Sequence, residues 1–329
     1  NKFRYLILFM IATTFACSKS DTNTAITTPT TPSTSTTDDA VVIEVDPTKF
    51  LAAGLTESIT KVSQRLADGS TVMCYKIVSN NTPSDHTQGP WCPTNINDGI
   101  DKGGIWFEAG KLYDVDGPFI KNLATFYSNT TWKLYNSTTG AINVTDTKAA
   151  CEAAARPNVD PLYKNYCVQC LPSYFPGIKK IYYIPVKPVK SNNTTPIMGM
   201  GGVVGIAFNG INFDPPAPTQ AILGAYTLAP FDDAGGHVNG ATGYHYHAAT
   251  GKSTKIKQTD AHAAMIGYAM DGYGLFENLD EAGKESTDLD ASRGHYDSIR
   301  GYHYHVANAG SNSFINSFRG VPGSFSVTL

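Results

Sequence analysis

The chain has 329 residues, with 25 Lys and Arg against 28 Asp and Glu, and its formal net charge is −3. This balance excludes the broad basic surface that a nonspecific nucleic-acid binder needs, so no nucleic-acid partner is expected. Hydrophobic residues make up 41% of the chain, which excludes disorder of the whole chain and is enough to build a core.

The N-terminus resembles a bacterial export signal. Lys2 and Arg4 precede an apolar run over residues 5–15, and Cys17 follows a small residue. This pattern is typical of a secretory signal, and a cysteine at this place resembles the lipobox of bacterial lipoproteins. We therefore predict a lipoprotein signal peptide over residues 1–16 and a lipid on Cys17. An ordinary secreted protein with an incidental cysteine is the alternative.

The region after the signal divides into a tether and a folded part. Residues 17–40 are dominated by Thr, Ser, Pro and Asp, so we predict a flexible tether behind the lipidated cysteine. Residues 41–329 are predicted to be a single β-rich domain, with an N-terminal part over 41–200 and a His-rich part over 201–325. A lipid and a tether would hold this domain at a bacterial membrane. The expected location is the cell envelope, as an outer-membrane lipoprotein on the periplasmic side or the cell surface.

The folded part is rich in residues that favour strands and turns, and its predicted fold class is mainly β, of the β-rich α+β kind. Alternating apolar residues predict strands over 70–78, 126–135 and 180–186. An Ala-rich segment over 148–156 predicts a short helix, which Pro157 limits. Residues 57–66 are compatible with either a helix or a strand.

Five cysteines lie in the folded part, and an exported protein is expected to join them in disulfides. We predict Cys74–Cys92 as one bridge, and Cys151 paired with either Cys167 or Cys170. Because five is an odd number, one thiol is expected to stay free.

The His-rich part repeats itself. Residues 204–210 resemble residues 266–272, and each run ends in Asn-Gly or Asp-Gly, which is a strong turn signal. Further along, His237 follows a glycine, and five residues separate it from the segment Gly-Tyr-His-Tyr-His. The same pattern returns 58 residues later, starting at His295. Because histidine is rare in this chain, chance does not place three histidines per copy in one register. We predict a duplicated β unit whose two Tyr-His-Tyr-His strands are related by a pseudo-twofold axis.

The Tyr-His-Tyr-His strands carry the candidate chemistry. Alternate side chains of a strand share a face, so the two histidines point one way and the two tyrosines the other. A hairpin would bring the upstream histidine beside each pair, and three imidazoles are a ligand set that suits Zn or Cu. The candidate metal ligands are His237, His245, His247, His295, His303 and His305. The two sets are compatible with one binuclear site, with two separate sites, or with one working and one degenerate site.

Four further residues are candidates in the same part of the chain. Asp232 and Asp290 precede the two Gly-His pairs and are candidate ligands, or acceptors for the second N–H of a ligating imidazole. Asp271 is either a turn former or a carboxylate aimed into the site. His262, which has no counterpart in the other repeat, is a candidate seventh ligand, a general base or a surface residue.

The two Gly-Tyr-His-Tyr-His segments, each with Gly-His upstream, resemble the bacterial YHYH domain family, which is named after the tetrad. The resemblance extends from about Met73 to Gly320. It implies that His86 joins the metal site, because the family pattern has a histidine after the proline of that segment. The chain departs from the family at Ala234 and Ser292, near places where members often have cysteine. The resemblance implies an extracytoplasmic location and a suspected metal site, but no particular reaction.

Together these features predict an exported, lipid-anchored metal-binding protein with Zn or Cu as its cofactor. A metal with an open position would supply hydroxide near neutral pH. A metal-dependent hydrolase or oxidoreductase is therefore one hypothesis, with Asp271 and His262 as candidate catalytic residues. The alternative is a non-catalytic surface or structural interaction module in which a His–Tyr network stabilises the core. A small molecule, a glycan or a protein would then be its partner.

Overall fold

The computed structural model describes residues 41–155, 158–197 and 202–328. The predicted signal peptide over 1–16, Cys17, the tether over 17–40 and Pro157 lie outside these residues. None of the helices within the described ranges combines the length and the apolar character that crossing a membrane requires.

Strands hold more of the described residues than helices do, and they form several antiparallel sheets, so the predicted mainly β class is confirmed. The strands are β1 (Thr60–Arg65), β2 (Thr71–Ser79), β3 (Ile105–Glu108), β4 (Lys111–Asp114), β5 (Lys179–Pro185), β6 (Lys190–Pro196), β7 (Gly205–Ala207), β8 (Asn212–Phe213), β9 (Gly236–Asn239), β10 (Gly243–Tyr246), β11 (Met265–Ala269), β12 (Gly274–Phe276), β13 (Gly294–Asp297), β14 (Gly301–His305), β15 (Ser317–Gly320) and β16 (Ser324–Thr328). The α-helices are α1 (Gly117–Phe126), α2 (Lys148–Ala154) and α3 (Thr219–Gly224). Short 3-10 helices span Pro47–Lys49, Ala52–Gly54, Ile100–Lys102, Pro161–Tyr163, Pro172–Tyr174 and Ala309–Ser311.

Three predicted elements are confirmed. Strand β2 covers the strand predicted over 70–78, β5 covers the one over 180–186, and α2 covers the helix over 148–156. The undecided segment over 57–66 contains strand β1, which pairs antiparallel with β2.

The strand predicted over 126–135 is wrong, because α1 ends at Phe126 and turns follow it. Asp116 caps this helix by accepting a hydrogen bond from the backbone N–H of Phe119, and a proline lies in the first turn. Both features are typical helix-start signals. The helix buries one apolar side, so its apolar residues follow a helical period and not the alternation of a strand.

Two disulfides lie within the described residues, Cys92–Cys167 and Cys151–Cys170. The second is one of the two pairings predicted for Cys151, whereas the predicted Cys74–Cys92 bridge is wrong. Cys74 is a free thiol in β2, where burial raises its pKa to about 11. Spacing in the sequence does not determine disulfide connectivity, and the pairing of β2 with β1 and β5 holds Cys74 inside a sheet.

A four-stranded antiparallel sheet has the order β1-β2-β5-β16. Ile77 in β2 and Tyr182 and Ile184 in β5 are fully buried, and they join the main hydrophobic cluster with residues of β7 and β11. A second cluster surrounds Trp106 of the β3–β4 hairpin and the buried side of α1. Strands β6 and β15 form a separate pair.

The His-rich part forms an eight-stranded sheet with the order β13-β14-β12-β11-β7-β8-β10-β9. The central strands β7 and β11 pair antiparallel with each other. Further out, β8 pairs parallel with β10 on one side of the sheet, and β12 pairs parallel with β14 on the other. Antiparallel hairpins, β9–β10 and β13–β14, form the two edges. The two Tyr-His-Tyr-His segments therefore lie at opposite edges of one sheet. The duplicated unit and its pseudo-twofold axis stay predictions.

Candidate metal centres

The alternation predicted for the Tyr-His-Tyr-His segments is present. His245 lies in β10 and His247 directly after it, and their imidazole centroids are 4.8 Å apart. The rings of Tyr244 and Tyr246 contact each other instead, with centroids 5.5 Å apart. The second segment repeats both contacts in β14. Because strand residues alternate, each segment separates an imidazole face from a phenol face.

The first cluster, here called the three-histidine group, consists of His237, His245 and His247. His237 in β9 pairs directly with His245 in the hairpin register, so its imidazole meets the other two from the neighbouring strand. Its Nε2 atom lies 3.1 Å from Nε2 of His245 and 3.2 Å from Nε2 of His247. The three ring nitrogens therefore converge.

Two imidazoles of the three-histidine group bond to the backbone through Nδ1. Nδ1 of His245 lies 2.8 Å from the carbonyl oxygen of Gly243, and Nδ1 of His247 lies 2.7 Å from that of Pro215. A carbonyl oxygen only accepts, so each Nδ1 is assigned the proton. Burial lowers the pKa of His247 to about 4 and that of His245 well below its ordinary value. Both imidazoles are therefore neutral near pH 7 and have a lone pair on Nε2.

The second cluster, here called the four-histidine group, consists of His262, His295, His303 and His305. His295 in β13 pairs with His303 in β14, and its Nε2 atom lies 2.9 Å from Nε2 of His303 and 3.2 Å from Nε2 of His305. His262 approaches from the segment before β11, with its Nε2 atom 3.1 Å from Nε2 of His303. The histidine without a counterpart in the other repeat thus joins one of the two groups.

Every Nδ1 atom of the four-histidine group faces an oxygen. Those of His262, His303 and His305 lie 2.9–3.0 Å from backbone carbonyl oxygens, and that of His295 lies 2.8 Å from the carboxylate of Asp288. Burial lowers the pKa of His262 and lowers that of His303 to about 3. The Nε2 atoms of these two residues, 3.1 Å apart, therefore both carry a lone pair and no proton. Two lone pairs at this distance repel each other unless a cation lies between them.

These donor sets fit a transition-metal ion. Imidazole suits Zn and Cu, and Zn–N bonds of about 2.0–2.1 Å in a tetrahedral arrangement place neighbouring nitrogens about 3.3 Å apart. The Nε2–Nε2 contacts of the two groups, between 2.9 and 3.2 Å, lie close to this separation. Bonds from Nδ1–H to a carbonyl or carboxylate are also how ligating histidines are usually oriented.

The two groups differ in the number of imidazoles and in their surroundings. Four imidazoles are enough to fill a tetrahedral site, and the ring of Phe276 packs on His262 and His303 with centroids 5.0 and 4.8 Å away. Of that group, His303 lines a cavity of about 310 Å³. All three members of the three-histidine group line a different cavity, of about 330 Å³. Structural zinc sites are closed, whereas catalytic sites keep an open position, and an ion held by these three imidazoles would have a position left for the cavity.

A carboxylate lies beside the three-histidine group. Asp214 lines the same cavity, and its Oδ2 atom lies 3.7 Å from Nε2 of His245. Lys180 is fully buried. Its Nζ atom donates to Oδ1 of Asn212 at 2.5 Å and to the carbonyl oxygen of Tyr244. The side-chain amide of Asn212 donates in turn to Asp214. Burial raises the pKa of Asp214 and lowers that of Lys180, because each group loses hydration. Lys180 thus holds the strand end that carries this carboxylate.

The tyrosine faces carry a separate hydrogen-bond network. The hydroxyl of Tyr244 donates to Asp232 and the hydroxyl of Tyr302 donates to Asp290, both at 2.8 Å. Each carboxylate also accepts backbone N–H groups of the turn that follows it. The structure therefore places the candidate ligands Asp232 and Asp290 on the tyrosine side and does not bring them into either histidine group.

His86 and Asp271 also lie on the tyrosine side. Nε2 of His86 lies 3.2 Å from the hydroxyl of Tyr244, and its Nδ1 lies 2.7 Å from Asp85. Asp271 is fully buried and accepts a 2.6 Å hydrogen bond from the hydroxyl of Tyr304. The structure does not bring either residue into a histidine group. The candidate catalytic carboxylate is a buried acceptor that orients a tyrosine.

Sequence reasoning missed Asp214 and Asp288. The sequence contains a signal for Asp214. When the alignment of residues 204–210 with residues 266–272 is extended by four residues, Asp214 aligns with Phe276. A carboxylate in one repeat and a phenyl ring in the other mark a difference between two otherwise similar units. Asp288 carries no such signal, because a proline holds the equivalent place in the other repeat.

Part of the chain matches a known family. The family model described as YHYH protein matches residues 181–283, which confirms the predicted resemblance over this part of the chain. The match includes the first Tyr-His-Tyr-His segment and His262. No curated protein and no solved structure matches the chain significantly.

Proposed function

We propose that this protein binds a Zn or Cu ion at each of the two histidine groups. One contact carries the proposal: the Nε2 atoms of His262 and His303 lie 3.1 Å apart, while both Nδ1 atoms donate to backbone carbonyls. Burial keeps both imidazoles neutral, so a cation between the two lone pairs removes their repulsion. In the three-histidine group, the lone pairs of His245 and His247 both face Nε2 of His237, which carries at most one proton to donate.

The two ions have different roles in this proposal. In the four-histidine group the ion is structural, because it ties the segment of His262 to the β13–β14 hairpin and leaves no tetrahedral position open. The three-histidine group is the reactive centre, because its imidazoles line a cavity. An ion held by three imidazoles lowers the pKa of a water molecule at its open position and polarises a carbonyl group.

Hydrolysis is the activity class that this centre supports best. Asp214, with Oδ2 3.7 Å from Nε2 of His245, is the carboxylate of this chain placed to accept a proton beside the open position. In this role it takes the place of Asp271 and His262, the candidates from the sequence. Oxidoreductase chemistry is the second candidate, and it requires that the reactive centre hold Cu, because Zn has no redox chemistry.

The alternative is a metal-free structural module. The tyrosine side supports it in part, because Tyr244, Tyr302 and Tyr304 each donate to a carboxylate and so stabilise the core. The histidine side favours metal, because the described hydrogen bonds of the six repeated imidazoles go to other imidazoles, to the backbone and to non-tyrosine side chains. We therefore assign metal binding to one face and core stabilisation to the other.

We also propose that the protein is exported and anchored in the bacterial envelope by a lipid on Cys17. The basic and apolar start of the sequence supports this, as do the two disulfides, which form in oxidising compartments. Incorporation of a labelled fatty acid that Cys17→Ser abolishes is the expected result. An unlabelled wild-type protein in the soluble fraction would contradict it.

Elemental analysis of the full, untagged chain tests the metal proposal. We expect about two ions per chain after dialysis against metal-free buffer. His245→Ala/His247→Ala is expected to remove one ion and His303→Ala/His305→Ala the other. His86→Ala, which alters an imidazole outside both groups, is the matched control and should retain two.

The unfolding temperature gives a second measurement on the same samples. We expect a chelator to lower it in the wild type and in the His245→Ala/His247→Ala variant, which keeps the structural ion. A wild-type protein with no ion, whose unfolding temperature a chelator leaves unchanged, would establish the metal-free module instead.

A further inference from the structure

The cavity beside the three-histidine group has mostly apolar walls. Besides the three imidazoles and Asp214, it is lined by Trp91, Val168, Pro215 and Val238, among other residues. Its volume of about 330 Å³ lies at the lower end of the range for small-molecule pockets. Such walls stabilise a ligand by removing its apolar surface from water.

Away from the three imidazoles, the same cavity offers no cationic side chain to a charged group of a ligand. Among the described residues that line it, Asp214 is the only acid, and none is lysine or arginine. The nearby cation, Lys180, is fully buried behind the strand end and donates to Asn212 and to the backbone. An ion at the three-histidine group would attract an anionic donor atom. A carboxylate or phosphate placed elsewhere in this space would lose its hydration without gaining a cationic side chain, which is unfavourable.

We propose that the cavity selects a small molecule with an uncharged, apolar body of about one ring, whose donor atom reaches the open position at the three-histidine group. This inference rests on the proposed metal function and adds the class of ligand. The imidazoles supply the polar end of the site, and the walls around Trp91 and Val168 supply the apolar end. Size and charge both act as filters on that body, because the space is small and its apolar walls hold no cationic side chain.

Three related probes test size and charge separately. Their affinities are measured on the full chain loaded with Co²⁺, whose absorption bands change when a ligand binds. The probes are imidazole, 4-phenylimidazole and 4-(imidazol-4-yl)benzoate. We expect 4-phenylimidazole to bind at least tenfold more tightly than imidazole, because its ring becomes buried. The benzoate should bind at least tenfold more weakly than 4-phenylimidazole, because its charge loses hydration.

Two variants control the measurement. His245→Ala/His247→Ala should abolish the response to all three probes, because it removes the ion of the three-histidine group. Ala241→Lys adds a cation at an exposed residue of the cavity lining, and it should strengthen binding of the benzoate at least threefold while leaving 4-phenylimidazole unchanged.

The outcomes distinguish this proposal from the metal function. Absence of the Co²⁺ ion that His245→Ala/His247→Ala should remove overturns both. Uptake with equal affinities for imidazole and 4-phenylimidazole, or with tighter binding of the benzoate than of 4-phenylimidazole by the wild type, overturns the ligand class alone. A response that survives His245→Ala/His247→Ala places the ligand elsewhere and also overturns it.

Discussion

Asp214 and Phe276 hold equivalent places in the two halves of the eight-stranded sheet and give the two histidine groups different chemistry. Asp214 directly follows Phe213, which pairs with Tyr246, and Phe276 directly follows Leu275, which pairs with Tyr304. Tyr246 and Tyr304 are the second tyrosines of the two Tyr-His-Tyr-His segments. Asp214 brings a carboxylate oxygen to 3.7 Å from Nε2 of His245, whereas Phe276 packs its ring 4.8 Å from that of His303. The same strand arrangement therefore places a carboxylate beside the three-histidine group and a phenyl ring against the four-histidine group.

Replacing His262 by Ala tests the closed centre. His262 is the fourth imidazole of its group, so the variant should still bind two ions but hold one of them more weakly. We expect a loss of affinity of at least about tenfold at that site, since even second-shell partners of a metal are worth about 10–100-fold. Competition with a chelator measures this, and His86→Ala is the control. Equal affinities in the two variants would show that His262 is not a ligand.

The buried pair formed by Lys180 and Asp214 predicts a stability effect. Lys180→Met leaves the Asp214 carboxylate buried without its cation, so we expect the free energy of unfolding to fall by about 3 kcal/mol. Lys180→Met/Asp214→Asn should recover at least half of this loss, because the uncompensated charge is gone. Urea denaturation measures both, and Lys179→Met, at an exposed neighbour, should change little. Additive effects of the two substitutions would show that the groups do not interact.

Asp85 predicts a pH dependence of stability. Burial acts to raise the pKa of this carboxyl, but hydrogen bonds from His86, Asn209 and Thr254 hold it well below the ordinary value. A carboxyl whose pKa is lower in the folded state than in the unfolded state stabilises the fold. This contribution is complete at pH values above the unfolded pKa of about 3.9, and it is lost as the pH falls through the folded-state pKa. We therefore expect Asp85→Asn to cost about 2 kcal/mol at pH 6 and clearly less at pH 3.

Denaturant unfolding of the wild type and the Asp85→Asn variant at both pH values measures this difference. Asp101→Asn, at an exposed position, serves as the control and should leave the free energy of unfolding within about 0.5 kcal/mol. A cost of Asp85→Asn that is the same at pH 6 and pH 3 would contradict the assigned hydrogen bonds.

The two disulfides should differ in their contribution to stability. Cys92–Cys167 joins residues 75 apart in the sequence, and Cys151–Cys170 joins residues 19 apart. Loop-closure entropy predicts that replacing the first pair by Ala lowers the free energy of unfolding by about 4 kcal/mol and the second by about 3 kcal/mol. Urea unfolding under non-reducing conditions measures both. A larger loss for Cys151–Cys170 would show that native contacts, and not the unfolded chain, dominate.

Local patterns in the sequence predicted the faces of the site well. Strand alternation places His245 with His247 and Tyr244 with Tyr246, and the short hairpin puts His237 in register with His245. These are relations between residues within a few positions of one another, which strand geometry alone determines. The mainly β class follows from the same kind of local pattern.

Relations across long sequence distances could not be predicted in this way. The Cys92–Cys167 bridge depends on how distant segments pack, and spacing does not fix it. His262 joins His303 only because the segment before β11 folds back onto β14. The error at 126–135 was of another kind, because Asn129 accepts a hydrogen bond from the backbone N–H of Thr131, and asparagine at this place is a local turn signal that interrupts the alternation.

Anomalous diffraction at the Zn absorption edge, from crystals of the full chain prepared with Zn²⁺, tests metal binding most directly. The account predicts two peaks, each about 2.0–2.1 Å from the Nε2 atoms of one histidine group. The four-histidine peak should have four such neighbours and the three-histidine peak three. A map with no peak while the Nε2 atoms of His262 and His303 remain 3.1 Å apart, or with its peaks at His86 or Asp232, would contradict the account.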